Sequence, residues 1–364
     1  MKIQNLRTVV FFLLLINRTH AQEMVTVNNM PGTAANYRTL QGAIDSVSAG
    51  TIILLQPSSA SYGIINISKL VSIIGSGYFL GLNPAPYTQA NTTSSQVDGI
   101  SFTTGAQGSV ISGLRIGRNY NNFGMLSFSN VSNITIKRCG VMIPLFGGQL
   151  FNLVINNASS IYFEQNYFES FQTTSFIWAE AVADIKFNNN LFNFITGGVN
   201  FVQASSGGGI DAGDFTFTNN TIYFGSINQP DYYGLGNYFN NIILFTFSGA
   251  ASFNLPMSVA QRNISNRDIF PPGSDNISNV NAADVLYFNT DPAIASPDAK
   301  LQLKPGSPAA GYGTGNIDAG AFGGNSGYVL SGIPFIPNIY SVQTVGTPTS
   351  TGGLQLRLKI KANQ

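Results

Sequence analysis

Four stretches of the chain repeat one eight-residue phrase: ITIKRCGV at 134–141, IYFEQNYF at 161–168, IKFNNNLF at 185–192 and FTFTNNTI at 215–222. Places one, three and eight are apolar in every copy. Place six is Asn166, Asn190 and Asn220 in three copies and the small Cys139 in the first. Apolar residues two apart belong to a β-strand with one inward face, whereas a helix needs spacings of three and four. Asn tolerates left-handed backbone, which suits a sharp turn between short strands. The copies start 27, 24 and 30 residues apart, too close for propeller blades and right for the coils of a solenoid.

Stacked coils predict internal columns: Ile134, Ile161, Ile185, Phe215; then Ile136, Phe163, Phe187, Phe217; then Val141, Phe168, Phe192, Ile222. Each such buried side chain contributes about 1.5–3 kcal/mol. The Asn residues are expected to form a ladder, each amide bonding to the coils above and below. An antiparallel sandwich is the alternative, but it has no reason to repeat Asn at a fixed place. The expected fold is therefore all-β: a parallel β-helix over 22–325, a short N-terminal capping helix and a hairpin-like tail over 326–364. At roughly 25 residues per coil, 51–323 holds about 11 coils.

The flanks fit that reading. Lys2 and Arg7 precede an apolar run at 9–16, too short to span a bilayer, and Thr19-His20-Ala21 has a cleavable form. Residues 1–21 are thus expected to be a signal peptide, and the protein to be secreted or held at the cell surface without spanning the membrane. Cys139 is the only cysteine, so no internal disulfide can form. In 37–47, Leu40, Ala43, Ile44 and Val47 give one apolar helical face, well placed to cap the first coil. Residues 79–100 break the rhythm and read as a loop. Near the end, Leu354, Leu356, Leu358 and Ile360 alternate with Gln355, Arg357, Lys359 and Lys361, an amphipathic strand expected to bury its apolar side on the coils.

The run of Asn36-Tyr37, Ala43-Ile44-Asp45, Gly50-Thr51-Ile52 and Ile73-Ile74-Gly75-Ser76-Gly77 resembles the opening of right-handed parallel β-helix proteins of the pectin-lyase-like superfamily. That resemblance supplies the handedness. The phrase LQLKPGSPAAGYGTGNIDAGAFGG at 301–324 resembles their closing coil, in which the aspartate matching Asp318 is structural. The tail resembles those of exported β-helix proteins of the Bacteroidota, and also a remnant of a fibronectin-like module. Polygalacturonase-like hydrolases of this fold carry a Gly-His-Gly and paired aspartates, and neither is present. The pectate-lyase pattern of an Arg near a calcium-binding aspartate cluster is not visible either.

The only histidine is His20, inside the expected signal peptide. Ser-His-Asp and Cys-His catalysis and His-ligated metals are therefore excluded from the mature chain. Net charge is +1, which points to no nucleic-acid partner. Places two and four of the phrase point outward and bring together Lys137, Glu164 and Lys186. These are candidate catalytic residues, since lyases of the superfamily use a Lys or Arg base; the plain alternative is an ion pair on a solvated face. Trp178 beside Glu180, and Asp231, Tyr232, Tyr233 and Tyr238, are candidate sugar-binding groups on loops, with NQPDYYG at 228–234 read as a loop. Asp211 and Asp214 are a candidate calcium pair, with a turn between coils as the alternative; two carboxylates without a dense Asp/Asn loop are few for that ion. No cofactor is expected. Eight Asn-x-Ser/Thr sites follow the expected signal peptide, at Asn66, Asn91, Asn130, Asn133, Asn157, Asn219, Asn263 and Asn276, and are not read as functional. Fold does not fix function. The favoured reading is a non-catalytic, glycan-binding or adhesive protein, with a polysaccharide lyase acting on an acidic polysaccharide as the alternative.

Overall fold

The structure is a computed structural model and describes residues 22–117, 125–143, 153–170, 175–195, 200–204, 211–225, 231–233, 236–246, 252–254, 259–272, 274–288, 291, 293–346 and 353–362. The expected signal peptide lies outside the described residues. The strands wind into a parallel β-helix with three faces. The first face takes Ile64–Ile67, Gly99–Phe102, the first halves of Leu126–Lys137, Leu153–Glu164 and Ser175–Asn188, and then Asn200–Ala204. The second runs from Met24–Val27 through Ile52–Leu55, Ser72–Ile74, Val110–Ser112 and the second halves of the long strands to Phe215–Thr218, Asn237–Phe239 and Ala260–Gln261. The third runs from Gln96–Val97 through Arg115–Ile116, Gly140–Ile143, Tyr167–Ser170, Leu191–Phe194, Thr221–Phe224 and Ile242–Phe245 to Ile264–Ser265.

The expected columns hold in register. Ile134, Ile161, Ile185 and Phe215 pair in sequence, as do Ile136, Phe163, Phe187 and Phe217. Val141, Phe168, Phe192 and Ile222 follow on the third face. All are buried. Aromatic rings on successive coils stack face to face: Phe163 on Phe187 at 4.5 Å, Phe187 on Phe217 at 4.9 Å and Phe217 on Tyr238 at 4.8 Å. Such pairs add about 0.5–1.5 kcal/mol each beyond the area they bury. The capping helix is Leu40–Ser46, started by Thr39 Oγ1 accepting from the Gly42 N–H, and its Leu40, Ala43 and Ile44 are buried.

The ladder is longer than the phrase announced. Asn166, Asn190, Asn220, Asn241, Asn263 and Asn276 occupy it on six successive coils. Each Oδ1 accepts the backbone N–H of the preceding ladder residue, starting with Cys139, at 2.8–2.9 Å. Each Nδ2 donates to a carbonyl of the preceding coil, from Ile136 to Ala260, also at 2.8–2.9 Å. The left-handed turn falls one place earlier than expected. Place five, not place six, has positive φ, at Arg138, Gln165, Asn189, Asn219, Asn240 and Arg262. The ladder Asn is kept for its amide and not for its backbone.

A second pair of left-handed residues bends each long strand from the first face to the second. The pairs are Asn130 with Asn133, Asn157 with Ser160, and Ala181 with Asp184. Six of the eight glycosylation-type triplets therefore begin at corners or ladder positions. Asn130, Asn133, Asn157 and Asn219 have positive φ, while Asn263 and Asn276 belong to the ladder.

The phrase at 301–324 does not close a coil. From residue 282 onward the chain turns back along the outside of the third face, which explains why fewer coils form than the length allows. Among the described residues, ten strands lie on the main path through the second face and eight in the third. Ile242, Leu244, Ile264, Leu191 and Tyr167 on the outer side of the third face are covered by Val285, Leu286, Leu301, Ala309, Ala319 and Ala321. Asp318 is structural, its Oδ1 accepting the Gly311 N–H at 2.8 Å. Within 79–100, the loop gives way to strands Gln96–Val97 and Gly99–Phe102.

The tail does form a hairpin, Asn338–Thr344 against Leu356–Lys361, antiparallel. Its apolar side is not buried. Leu356 is 52% exposed and Leu358 47%; as strands the two pair only with each other among the described residues, while the Ile339 carbonyl accepts the Ala90 N–H at 3.0 Å and Lys361 lies over the Tyr87 ring.

Two outcomes test this architecture. Asn190→Leu leaves the Asn166 N–H and the Phe163 carbonyl without partners and should cost about 1–3 kcal/mol by denaturant unfolding; an unchanged midpoint contradicts the ladder. Leu356→Asp and Leu358→Asp should each shift stability by no more than about 0.5 kcal/mol; a larger loss would mean that the hairpin's apolar side is covered.

Candidate functional site

Place five of the phrase positions a site that sequence reading did not see. Its left-handed turn aims the side chain outward at the edge between the second and third faces. There the returning chain runs as a strap over 314–337, against the coil order. Asn240 Oδ1 accepts the Thr314 N–H at 3.0 Å, and Asn189 Nδ2 donates to the Ala321 and Gly323 carbonyls at 3.0 and 2.8 Å. Gln165 Nε2 donates to the Ser326 and Gly327 carbonyls at 2.7 and 2.9 Å. Arg138 Nη1 donates to the Ile333 carbonyl at 2.9 Å, and its Nε to Gln165 Oε1 at 2.7 Å. The Arg138 side chain is buried, and desolvation pulls its pKa down to about 10, opposed by Tyr78 and Glu164.

The strap's far end is locked by a buried network. Asp298 accepts from Asn83 Nδ2 at 3.1 Å and the Ser331 N–H at 2.8 Å, and also from the Tyr328 and Ser296 hydroxyls. Gly332 fits there because it has none of the bulk of a side chain: φ is +55°, and a Cβ would lie 2.2 Å from the Tyr78 ring and 2.5 Å from the Arg138 carbonyl.

Between strap and second face lies a polar cleft of about 330 Å³, lined by Glu164, Asn188, Thr218 and Asn219 from three coils and by Asn325 and Ser326 from the strap. Lys137 Nζ bonds Glu164 Oε2 at 2.8 Å, across neighbouring coils as expected. Lys186 does not join them. It pairs with Asp184 at 2.6 Å, a partner supplied by the corner of its own strand, and lies over the Tyr162 ring at 5.3 Å. Its pKa is raised, chiefly by the hydrogen bond to Asp184. These exposed pairs stabilise the fold by no more than about 1 kcal/mol each.

Three features equip the cleft for a polar ligand. Asn219 Oδ1 is buried and has no hydrogen-bond partner. The side chains of Asn188, Thr218 and Asn325 make no hydrogen bond among the described residues. Phe335, on the strap, is 46% exposed. Its ring covers the Arg138 guanidinium at 3.7 Å and lies 4.8 Å from Lys137 Nζ, which places a partly exposed aromatic ring one side chain away from Glu164.

The remaining candidates do not join this cleft. Trp178 is on a strand, not a loop, in register with Val154 and Gln203 on the first face. It and Glu180 point outward, since Ile177 and Ala179 are buried. The residues read as a loop at 228–234 include a strand, Asp231–Tyr233, parallel to Ser252–Asn254. The side chains of Asp231, Tyr232 and Tyr233 lie outside the described residues. Tyr238 is in the core. The Asp211 N–H bonds Asp214 Oδ2 at 2.7 Å within a single helical turn, which supports the turn reading. No group of three or more His, Cys, Asp or Glu residues gathers for a metal among the described residues, and no helix there is long and apolar enough to cross a membrane.

If the strap depends on place five, Arg138→Met should cost about 2–3 kcal/mol and speed proteolysis between residues 324 and 337. Unaltered cleavage would show that the strap is held by other contacts.

No protein-family model matches the chain, and no curated protein matches it. Among solved structures it is similar to an aspartate-to-alanine mutant of pectin methylesterase in complex with a hexasaccharide. The TM-score is 0.38 at 12% identity, over 77% of this chain and 97% of that chain. At that level of likeness the fold assignment rests on the strand register alone.

Proposed function

We propose that this is an exported glycan-binding protein, and that the cleft between Glu164, Asn219 and Asn325 holds a polysaccharide segment without cleaving it. The observation that carries the reading is the buried, unpartnered Asn219 Oδ1 on a cleft lined by uncommitted amides and a hydroxyl. A buried carbonyl oxygen without a donor costs about 1–3 kcal/mol, and a ligand hydroxyl relieves that cost. Glu164, Asn188 and Thr218 stand in register on successive coils about 4.8 Å apart. That rise is comparable to one sugar unit, so a chain of sugars can repeat its contacts from coil to coil. Phe335, partly exposed beside Lys137, adds aromatic surface at the next coil.

The lyase alternative needs a neutral lysine or an arginine to take a proton. Lys137 donates to Glu164, Lys186 is held protonated by Asp184, and Arg138 is buried under the strap. These engagements favour binding over turnover.

The test is retention on a panel of plant, algal and bacterial polysaccharides, with absorbance of unsaturated sugar ends recorded alongside. Wild type should be retained without new absorbance. Asn219→Ala and Phe335→Ala should each weaken retention about tenfold, which is about 1.4 kcal/mol, with cooperative unfolding kept and the Asn219→Ala stability lowered by about 1–2 kcal/mol for its left-handed backbone. Absence of retention, or variants that bind as wild type, would remove the proposal; rising absorbance would establish the lyase.

A further inference from the structure

The strongest unassigned feature lies on the third face. Along most of that face the returning chain packs against the outer side chains, so that Met142, Tyr167 and Leu244 are buried. At one place it stands off, leaving a cavity of about 570 Å³, within the size range of small-ligand sites. Glu169, Asn193 and Tyr223 line it from three successive coils, in one register column. Phe288 and Lys300 line it from the returning chain, whose Phe288 N–H bonds the Lys300 carbonyl at 2.7 Å.

The lining is chemically specific. The Tyr167 hydroxyl donates to Glu169 Oε2, and the Asn193 amide reaches the same oxygen at 3.5 Å. Oε1 takes no hydrogen bond among the described residues. Burial holds the Glu169 carboxyl above its usual range, against the opposing hydrogen bonds from Tyr167 and Asn193 and the charge of Arg115. Among the described residues, Asn193 commits only its Nδ2, to Tyr167 and Glu169. The Lys300 ammonium has no ion-pair partner among the described residues and does not reach Glu169. Tyr223 and Phe288 meet with ring centroids 4.8 Å apart at 45°, forming one aromatic wall. A gap that served packing alone would be lined and filled by apolar groups, as the rest of this face is.

We propose that this cavity is a second binding site, separate from the cleft, for a single neutral sugar ring. The apolar face of the ring lies on Tyr223 and Phe288. Its hydroxyls donate to Glu169 Oε1 and the Asn193 side-chain oxygen, and one accepts from Lys300. Aromatic surface with acceptors and a donor at its margin is the complement of a hydroxylated ring. The site stands on geometry that the cleft does not share, so either proposal can fail without the other.

The experiment is calorimetric titration of the full chain with methyl glucoside, methyl galactoside and methyl mannoside. At least one should bind saturably with a stoichiometry of one. Glu169→Gln should weaken that binding about tenfold or more, as should Phe288→Ala. Should Phe288→Ala fail to fold, Lys300→Met replaces it, with the same expected direction. Asn219→Ala separates the two sites: it weakens polysaccharide retention if the cleft reading holds, whereas monosaccharide affinity here responds to Glu169→Gln. No saturable binding of any of the three sugars overturns the proposal, and so does binding that Glu169→Gln and Lys300→Met leave unchanged.

Discussion

Five successive coils leave the second face through a left-handed residue and an asparagine, from Gln165-Asn166 to Arg262-Asn263, and the asparagine amide is the contact on which the rest depends. A sharp turn inside a stacked solenoid strands a backbone N–H and a carbonyl where water cannot reach them. The Asn side chain satisfies both at once, one coil away. Six in a row fix the rise and register of their coils. With register fixed, the Phe columns stack face to face, and every outward side chain falls above its counterpart. The candidate sites are consequences of that alignment. Glu164, Asn188 and Thr218 form one column of it, and Glu169, Asn193 and Tyr223 form another.

The residue before each ladder Asn has a second task. Its left-handed backbone is tolerated in Asn at little cost and in Arg138 or Gln165 at roughly 1–2 kcal/mol. The long side chains offset that strain by donating to the strap carbonyls of Ile333, Ser326 and Gly327. The strap in turn walls the cleft with Asn325 and Ser326 and brings Phe335 beside Lys137. Its path buries much of the outer side of the third face, from Met142 and Tyr167 to Leu244 and Ile264.

What the sequence makes legible follows from what repeats. The ladder, the columns and the capping helix show because one residue type recurs at one spacing. Asn241, Asn263 and Asn276 were harder to see because their coils keep the amide and lose the apolar phrase around it. Lys137 and Glu164 follow from register; the Lys186–Asp184 pair does not, because the corner residue belongs to no column of the phrase. Place five holds Arg, Gln and Asn by turns, united by backbone conformation and by carbonyl partners that carry no side-chain signal. The strap, with its small residues and turns, reads as a closing coil until its contacts are known. Glu169 and Phe288 lie 119 residues apart and meet only because the chain returns. In the tail, strict alternation announces an amphipathic strand, and alternation says nothing about what covers it.

The most direct test of the ladder as the organising contact is backbone hydrogen exchange, resolved to the turns. The amides of Asn166, Asn190, Asn220 and Asn241 each donate to a buried side-chain oxygen and should exchange only through global unfolding, at one common free energy. The hairpin amides of 356–361 should exchange far sooner. Turn amides that exchange as fast as the hairpin, or at free energies scattered from coil to coil, would contradict the account.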